Sequence, residues 1–275
     1  MTPPFRLSAS DLSNSAALGS HEDFVAVLRR HGALPATATP TAVSAAVPTP
    51  TQATTILSFK YADGVLVAGD RRATAGNAIM YDRADKVIEI DRHSLMAIAG
   101  VPATAWEMAR VLEHSFQFYR RTQLQELSLE GKVRALSKLL RDNLGMVLQG
   151  VGVVVPIFAT YDAATAQARL YFYDAMGAGF EAADFAATGS GSGAVRAVLH
   201  FENKWGRRGG LRALSAADAT LLALRSLETA AASDSATGGV DRRADVFPIV
   251  KLITSAGIET LPEEQMAKLF KSRAV

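Results

Sequence analysis

The sequence predicts an α+β fold in which stacked, mainly antiparallel sheets are covered by helices. Strand-like segments come in runs, and pairs of helix-like segments separate these runs along the chain. A parallel sheet would instead alternate one strand with one helix. Hydrophobic residues make up 49% of the 275 residues, so the chain can fill a substantial core. Two sheets packed face to face between layers of helices fit this order.

Two predicted hairpins form the first run of strands. The apolar segments 55–59 and 65–69 flank the turn Ala62-Asp63-Gly64, whose residue types favour turns. The segments 86–90 and 95–99 flank a second turn at 91–94. All four segments have the length and apolar content of buried strands.

Helices and further strands follow the hairpins. Pro102 suits the first position of a helix, and Ser215 with Asp218 resembles a capping box. Apolar residues at helical spacing predict helices over 106–116, 133–147, 193–201, 216–232 and from Pro262 onward. Further strands are predicted at 153–160, 170–174, 185–187 and 249–254.

The first 53 residues differ from the remainder in composition. A short helical pattern at 24–28 follows a possible N-cap at Ser20. Residues 34–53 are then almost entirely Ala, Thr, Pro and Val, with prolines at 35, 40, 48 and 50, which is typical of an extended linker. From composition alone, this stretch fits a passive tether as well as a removable leader.

Composition argues against several classes of partner and cofactor. The 29 basic and 27 acidic residues give a net charge of +2 without a long basic run, so we expect no nucleic acid partner. No apolar run is long enough to span a membrane, and the N-terminus lacks a secretion signal. We therefore expect a cytoplasmic protein with no membrane contact. The absence of cysteine and the scattered positions of five histidines predict neither a metal nor another cofactor.

Few candidate motifs for chemistry remain. The stretch 189–193 is rich in glycine but lacks the spacing of a nucleotide-binding loop or of a serine nucleophile elbow. Polar residues at 70–74 end the second predicted strand, and Lys86 opens the third. From the residues alone, Asp70 and Lys86 also fit a surface ion pair of little energetic value.

These segments together resemble a known family. The motifs that carry the resemblance are Thr54-Thr55-Ile56, Gly69-Asp70-Arg71-Arg72-Ala73-Thr74, Lys86-Val87, Ile98-Ala99-Gly100, Asn143-Leu144-Gly145, Gly189-Ser190-Gly191-Ser192 and Asp234-Ser235-Ala236-Thr237-Gly238-Gly239. In this order they resemble the proteasome β subunits in their bacterial form, over essentially all of residues 54–275. The resemblance implies a four-layer αββα sandwich, the N-terminal nucleophile (Ntn) hydrolase fold. It also implies that residues 1–53 are a propeptide and 54–275 the mature catalytic domain.

The resemblance implies a threonine-type endopeptidase that autocatalytic cleavage between Ala53 and Thr54 activates. Thr54 would be the nucleophile, with its freed α-amine as base, beside the charged pair of Asp70 and Lys86. The Gly100 N–H would stabilise the oxyanion. Further polar residues of the family's site match Ser190, Asp234 and Thr237. The family usually has glycine before the nucleophile, so Ala53 predicts slow or assembly-dependent processing.

Substrate preference and partners are implied in the same way. The family's pocket for the residue preceding the cut bond matches Ala73, Thr74, Ala84, Ile98 and Pro102, with Trp106 nearby. None of these is charged, which predicts a preference for apolar residues, as in chymotrypsin-like cleavage. The expected partners are proteasome α subunits, homo-heptameric β rings stacked in a 20S core, a ring-shaped ATPase acting through the α rings, and unfolded protein substrates.

Three alternatives remain at this point. A two-ring bacterial threonine peptidase shares Thr-Thr-Ile but usually lacks a long leader and differs after the Gly-Asp step. A non-catalytic ring subunit would not need Thr54, Asp70 and Lys86 together. A small-molecule amidase of the wider N-terminal nucleophile group is the third, and a peptide-hydrolysis assay separates it from a peptidase.

Overall fold

The computed structural model describes residues 54–75, 78–206, 208–241 and 246–272. The strands are β1 (Thr55–Tyr61), β2 (Gly64–Gly69), β3 (Ala73–Ala75), β4 (Ala78–Tyr81), β5 (Val87–Asp91), β6 (Ser94–Ala97), β7 (Ile157–Asp162), β8 (Gln167–Tyr173), β9 (Gly179–Glu181), β10 (Phe185–Gly189), β11 (Ile249–Thr254) and β12 (Gly257–Thr260). The helices are α1 (Pro102–Gln123), α2 (Leu129–Asp142), α3 (Leu144–Leu148), α4 (Ser192–Trp205), α5 (Ala216–Ser233) and α6 (Glu263–Ser272), with a short 3-10 helix at Gly210–Ala213.

Two five-stranded sheets form the centre of the fold. The first has the strand order β10-β1-β2-β11-β12 and the second the order β5-β6-β7-β8-β9. Every paired strand in both sheets is antiparallel. The strands β3 and β4 form a separate hairpin.

Three apolar clusters place the sheets and helices in four layers. Between the sheets lie Ile56, Val65, Val67, Val87, Leu95, Ala97, Ile157, Ala159, Leu170 and Ile253. The outer face of the first sheet packs on α4, α5 and α6 through side chains such as Leu57, Leu66, Leu199, Leu224 and Phe270. The outer face of the second sheet packs on α1 and α2 through Met96, Phe158, Leu112, Phe116 and Leu136. The predicted sandwich of two antiparallel sheets between helices is confirmed.

Local differences from the predicted elements have physical causes. The predicted strand at 153–160 begins only at Ile157, because Pro156 has no N–H for a sheet ladder. The predicted helix over 133–147 is divided between α2 and α3 at Asn143. The strands β3, β4, β9 and β12 were not predicted, since they are short and lack an apolar alternation.

Some predicted features lie outside the described residues. They are the helical pattern at 24–28 with its N-cap Ser20, the linker at 34–53 and Ala53 itself. In the part of the chain that the structure describes, no helix is both long and apolar enough to cross a membrane.

Candidate active site

The ends of three neighbouring strands meet at one edge of the first sheet. Thr55 at the start of β1 pairs with Gly189 at the end of β10, and Ile56 pairs with Gly69 at the end of β2. The antiparallel register therefore brings Thr54, Asp70 and Ser190 to the same edge. Both β1 and β2 are buried along their whole length, which fixes this register.

Asp70 is a buried carboxylate that accepts four hydrogen bonds. Its Oδ1 accepts from the Thr55 N–H and from the Lys86 Nζ, each at 2.8 Å. Its Oδ2 accepts from the Arg72 N–H at 3.0 Å and the Gly238 N–H at 2.9 Å. These donors hold Asp70 in one orientation and satisfy both of its carboxylate oxygens.

Lys86 is paired inside the protein rather than at its surface. Its side chain is 5% exposed, and its Nζ also donates to the Arg72 carbonyl oxygen at 2.5 Å. Burial lowers the pKa of Lys86, and the neighbouring Asp70 carboxylate opposes that change. The surface ion pair that the residues alone allowed is therefore wrong, because both charges are buried.

A second group of hydrogen bonds surrounds Asp234. Its Oδ2 accepts from the Ser190 hydroxyl at 2.6 Å and the Thr237 hydroxyl at 2.5 Å, and its Oδ1 accepts from the Ala236 N–H at 3.0 Å. Burial alone would raise the pKa of Asp234. The hydrogen bonds from Ser190, Thr237 and Ala236 outweigh burial and hold the pKa below its usual value.

Thr55 links the two groups. Its hydroxyl lies 2.5 Å from the Thr237 hydroxyl and accepts from the Gly191 N–H at 2.9 Å. Because the Thr237 proton is directed at Asp234, the Thr55 hydroxyl is the donor to Thr237. Thr55 also donates its N–H to Asp70. It therefore contacts the Asp70 carboxylate directly and the Asp234 carboxylate through the Thr237 hydroxyl. A Cβ on Gly191 would lie 2.7 Å from both hydroxyl oxygens, so glycine is required at this close approach.

Thr54 lies directly before this link and is 4% exposed. Its carbonyl oxygen accepts a hydrogen bond from the Ser190 N–H at 3.0 Å. Gly189, with φ of +98°, would place a Cβ only 1.8 Å from that same carbonyl oxygen. The backbone around Thr54 is thus held from β10 on one side and through Thr55 from Asp70 on the other.

Gly100 follows β6 and has a backbone conformation that favours glycine, with φ of +112°. It forms an isolated bridge with Val154 through the Val101 N–H to the Val153 carbonyl and the Val155 N–H to the Ala99 carbonyl. In this pairing, the Gly100 N–H points away from Val154. No described residue accepts a hydrogen bond from it.

Two of the predicted pocket residues, Ala84 and Ile98, have backbone contacts next to Lys86. Ile98 donates its N–H to the Lys86 carbonyl at 2.9 Å, and Ala84 donates its N–H to the Arg71 carbonyl at 3.0 Å. Both side chains are largely buried. Ala73 and Thr74 lie on β3, and Pro102 begins α1 with Trp106 one turn further along and 45% exposed.

The structure adds residues that the sequence did not single out. They are Thr55, Arg72, Gly191 and Gly238. The Arg72 Nη1 donates to the carbonyl oxygens of Ser235 at 2.8 Å and Thr237 at 3.2 Å. All four lie inside the motifs quoted above, but their contacts span more than a hundred residues of chain. Among the described residues, no group of three or more acidic or histidine side chains is placed to hold a metal ion.

Two antiparallel sheets between helix layers, with Thr-Thr opening the first strand, define an Ntn-hydrolase type of sandwich. The family model described as "Proteasome subunit" matches residues 51–244, and the chain belongs to this family. It is 40% identical to the proteasome subunit beta 2 of Thermomonospora curvata over 219 residues, covering 80% of this chain and 75% of that one. It is 38% identical to the proteasome subunit beta of Acidimicrobium ferrooxidans over 216 residues, with 78% and 76% covered. The β subunit of Streptomyces griseus is also 38% identical over 219 residues, with 80% and 75% covered.

Proposed function

We propose that this chain is a threonine-type endopeptidase of a proteasome core, with Thr54 as the nucleophile. One observation carries the proposal: Thr54 directly precedes Thr55, whose N–H donates to the Asp70 carboxylate of the buried Asp70–Lys86 pair. A buried ion pair at a strand edge contributes little to stability compared with an apolar pair. Its placement beside a threonine supports a chemical role.

Activation requires a free amine at Thr54. A threonine hydroxyl is a weak nucleophile until a base removes its proton. In the intact chain the Thr54 nitrogen is part of a peptide bond and has no basic lone pair. Cleavage between Ala53 and Thr54 releases an α-amine, whose pKa is about 7.7–8.0 in model peptides. Residues 1–53 are then a propeptide that keeps the precursor inactive.

The charged pair supports this amine. A Lys86 ammonium beside the α-amine disfavours a second positive charge, so more of the amine is a free base at neutral pH. Asp70, which accepts from Lys86 at 2.8 Å, keeps the lysine protonated and oriented. Ser190, Asp234 and Thr237 support the Thr54 end of β1 through Thr55.

The chemical steps follow from these positions. The Thr54 hydroxyl attacks the scissile carbonyl carbon as the α-amine takes its proton, and the Gly100 N–H stabilises the charge on the carbonyl oxygen. The proton passes to the leaving amine, and an ester to Thr54 remains. Water then hydrolyses this ester with the α-amine again as base.

The propeptide is removed when the Thr54 hydroxyl attacks the Ala53 carbonyl of its own chain. An ester to Thr54 replaces the Ala53–Thr54 peptide bond, the nitrogen of that bond becomes the free α-amine, and water then hydrolyses the ester. The first attack proceeds without the α-amine as base, and its intramolecular geometry compensates in part. The family match begins at residue 51, next to this bond, which supports a boundary here. Ala53 restricts the backbone at the cut bond more than glycine would, so we expect slow processing that depends on assembly.

The substrates and partners are those of an enclosed peptidase. The chain would form heptameric β rings, two of them stacked in a 20S core between α rings, with a ring-shaped ATPase supplying unfolded proteins in the cytoplasm. The uncharged pocket formed by Ala73, Thr74, Ala84, Ile98 and Pro102 favours apolar residues before the cut bond.

Peptide hydrolysis by the assembled protein tests this proposal. Among fluorogenic peptides with an aromatic, a basic or an acidic residue before the cut bond, the aromatic one should be hydrolysed fastest. The Thr54→Ala variant should have no activity above background. The matched control is Thr122→Ala, which removes an exposed threonine hydroxyl on α1. Full activity in Thr54→Ala would contradict the proposal, and equal rates for the three peptides would contradict the apolar preference.

A further inference from the structure

A polar cavity lies at the other end of β1 from Thr54. It has a volume of about 610 Å³ and opens beside the turn between β1 and β2. Lys60, on its wall, is six residues from Thr54, or about 20 Å along an extended strand. The cavity is therefore separate from the proposed active site.

Lys60 is a buried cation on this wall. Ile56 points into the space between the sheets, and the two-residue period of a strand directs Lys60 to the same side. Lys60 is 8% exposed, and its backbone N–H donates to the Asp184 carbonyl at 2.8 Å. No described residue accepts a hydrogen bond from its ammonium group or forms an ion pair with it.

Two of the neighbouring acids are already engaged with other cations, and the exposed Asp63 lies on the cavity wall as well. Glu181 accepts from the Arg169 Nη1 at 2.8 Å, and Asp184 accepts from the Arg212 Nε at 2.8 Å. The Arg169 Nε is buried and has no acceptor among the described residues. Two cationic side chains on one cavity wall therefore hold unused donors.

Electrostatics favour an anion at this place. Burial lowers the pKa of Lys60, and the charge of Arg212 lowers it further, although Glu181 and Asp184 act in the opposite direction. A buried ammonium without a counter-ion is unfavourable. An anion in the cavity would supply the missing charge and accept the unused hydrogen bonds.

We propose that this cavity binds a phosphate group, held by the Lys60 ammonium and the Arg169 Nε with Arg212 at the rim. A phosphate has more acceptor oxygens than a carboxylate and so uses more of these donors. The phosphate is either the free ion or part of a small phosphomonoester, for which the cavity has room. This site is independent of the proposed peptidase activity.

Calorimetric titration of the full-length protein tests the site. Inorganic phosphate and glycerol phosphate are each titrated to about 20 mM, since so small a ligand gains limited affinity, against sodium chloride at equal ionic strength. At least one should bind saturably. Tighter binding of glycerol phosphate identifies a phosphomonoester site, and equal or weaker binding identifies a site for the free ion.

Lys60→Met keeps most of the side chain and removes the charge, and it should weaken binding at least about tenfold. Lys138→Met, which removes an exposed lysine of α2, should leave binding unchanged. As a readout that needs no variant, phosphate should slow acetylation of Lys60 but not of Lys138, measured by mass spectrometry. No saturable binding, equal binding by Lys60→Met, or equal acetylation with and without phosphate would overturn the proposal.

Discussion

At the scale of single residues, the stability of the buried Asp70 and Lys86 charges depends on the contact between them. Each charge has lost its water, so each depends on the other and on the surrounding backbone groups. Breaking such a pair from one side leaves the remaining charge uncompensated. Removing one partner therefore lowers the free energy of unfolding much more than it would in an ion pair exposed to water.

Asp70→Asn should therefore destabilise the fold by about 3–5 kcal/mol, because it leaves the Lys86 ammonium buried without a counter-charge. The control Asp142→Asn removes an exposed i,i+4 partner of Lys138 and should cost less than about 1 kcal/mol. The free energy of unfolding in urea measures both. Combining Asp70→Asn with Lys86→Met should recover part of the loss, and a double variant less stable than the single one would contradict this explanation.

Thr55 provides a second prediction at this scale. Thr55→Val removes the acceptor of the Gly191 N–H and the donor to Thr237, and an unsatisfied buried donor costs about 1–3 kcal/mol. We expect lower thermal stability and a lower kcat with Thr54 still present. Thr55→Ser keeps the hydroxyl and should retain most of both. Equal losses in the two variants would contradict the hydroxyl as the group that sets stability and kcat.

The pH dependence of stability depends on Asp234. Its lowered pKa means that its contribution is present above the pKa of the unfolded chain and is lost as pH falls through the folded value. Ser190→Ala removes one of the hydrogen bonds that lower this pKa. Thermal melts between about pH 3 and 6, a range that spans ordinary carboxyl pKa values, measure this. The variant should be less stable than the parent near pH 6, and it should lose less stability as the pH falls, so that the two melting temperatures approach each other at low pH. A difference in melting temperature that stays the same across this range would contradict this role of Ser190.

At the scale of elements, Gly100 fixes how β6 leaves the second sheet. A Cβ there would lie 2.0 Å from the Val153 carbonyl oxygen, in addition to the strain of the positive φ. The segment carrying the Gly100 N–H would have to move away from Val153. The direction of this N–H therefore depends on one residue without a side chain.

Gly100→Ala should destabilise the protein by more than about 1 kcal/mol and should lower kcat more than it raises KM. Gly193→Ala is the matched control, because a Cβ at that position of α4 meets nothing within 4 Å. Its stability should be unchanged or slightly higher. The comparison uses thermal melts and peptide hydrolysis, and wild-type activity in Gly100→Ala would contradict the oxyanion role of this N–H.

Sequence patterns predict the elements whose burial is regular. The hairpin β1–β2 and the helix α5 were predicted because apolar runs and a capping box mark them. The hairpin β3–β4 was not, since all described side chains of β4 are exposed. At the site, Asp70 and Lys86 could be named from motifs, whereas the contacts of Thr55 with Gly191 and Thr237 join residues 136 and 182 positions apart. Contacts over such distances depend on the register of β1 against β10, which no local pattern encodes.

For the whole molecule, the central question is where the active chain begins. The Asp70–Lys86 pair and the Ser190–Asp234–Thr237 group both contact Thr55, the residue directly after Thr54. They can serve catalysis only if the Thr54 nitrogen is a free amine. Removal of 53 of the 275 residues would leave a chain of 222 residues.

The most direct measurement is the intact mass and N-terminal sequence of the assembled protein, with Thr54→Ala purified in parallel. We predict that the assembled parent chain begins at Thr54 and that the Thr54→Ala chain assembles with residues 1–53 still attached. A chain that begins at Thr55 or elsewhere, or active particles that retain residues 1–53, would contradict Thr54 as the nucleophile.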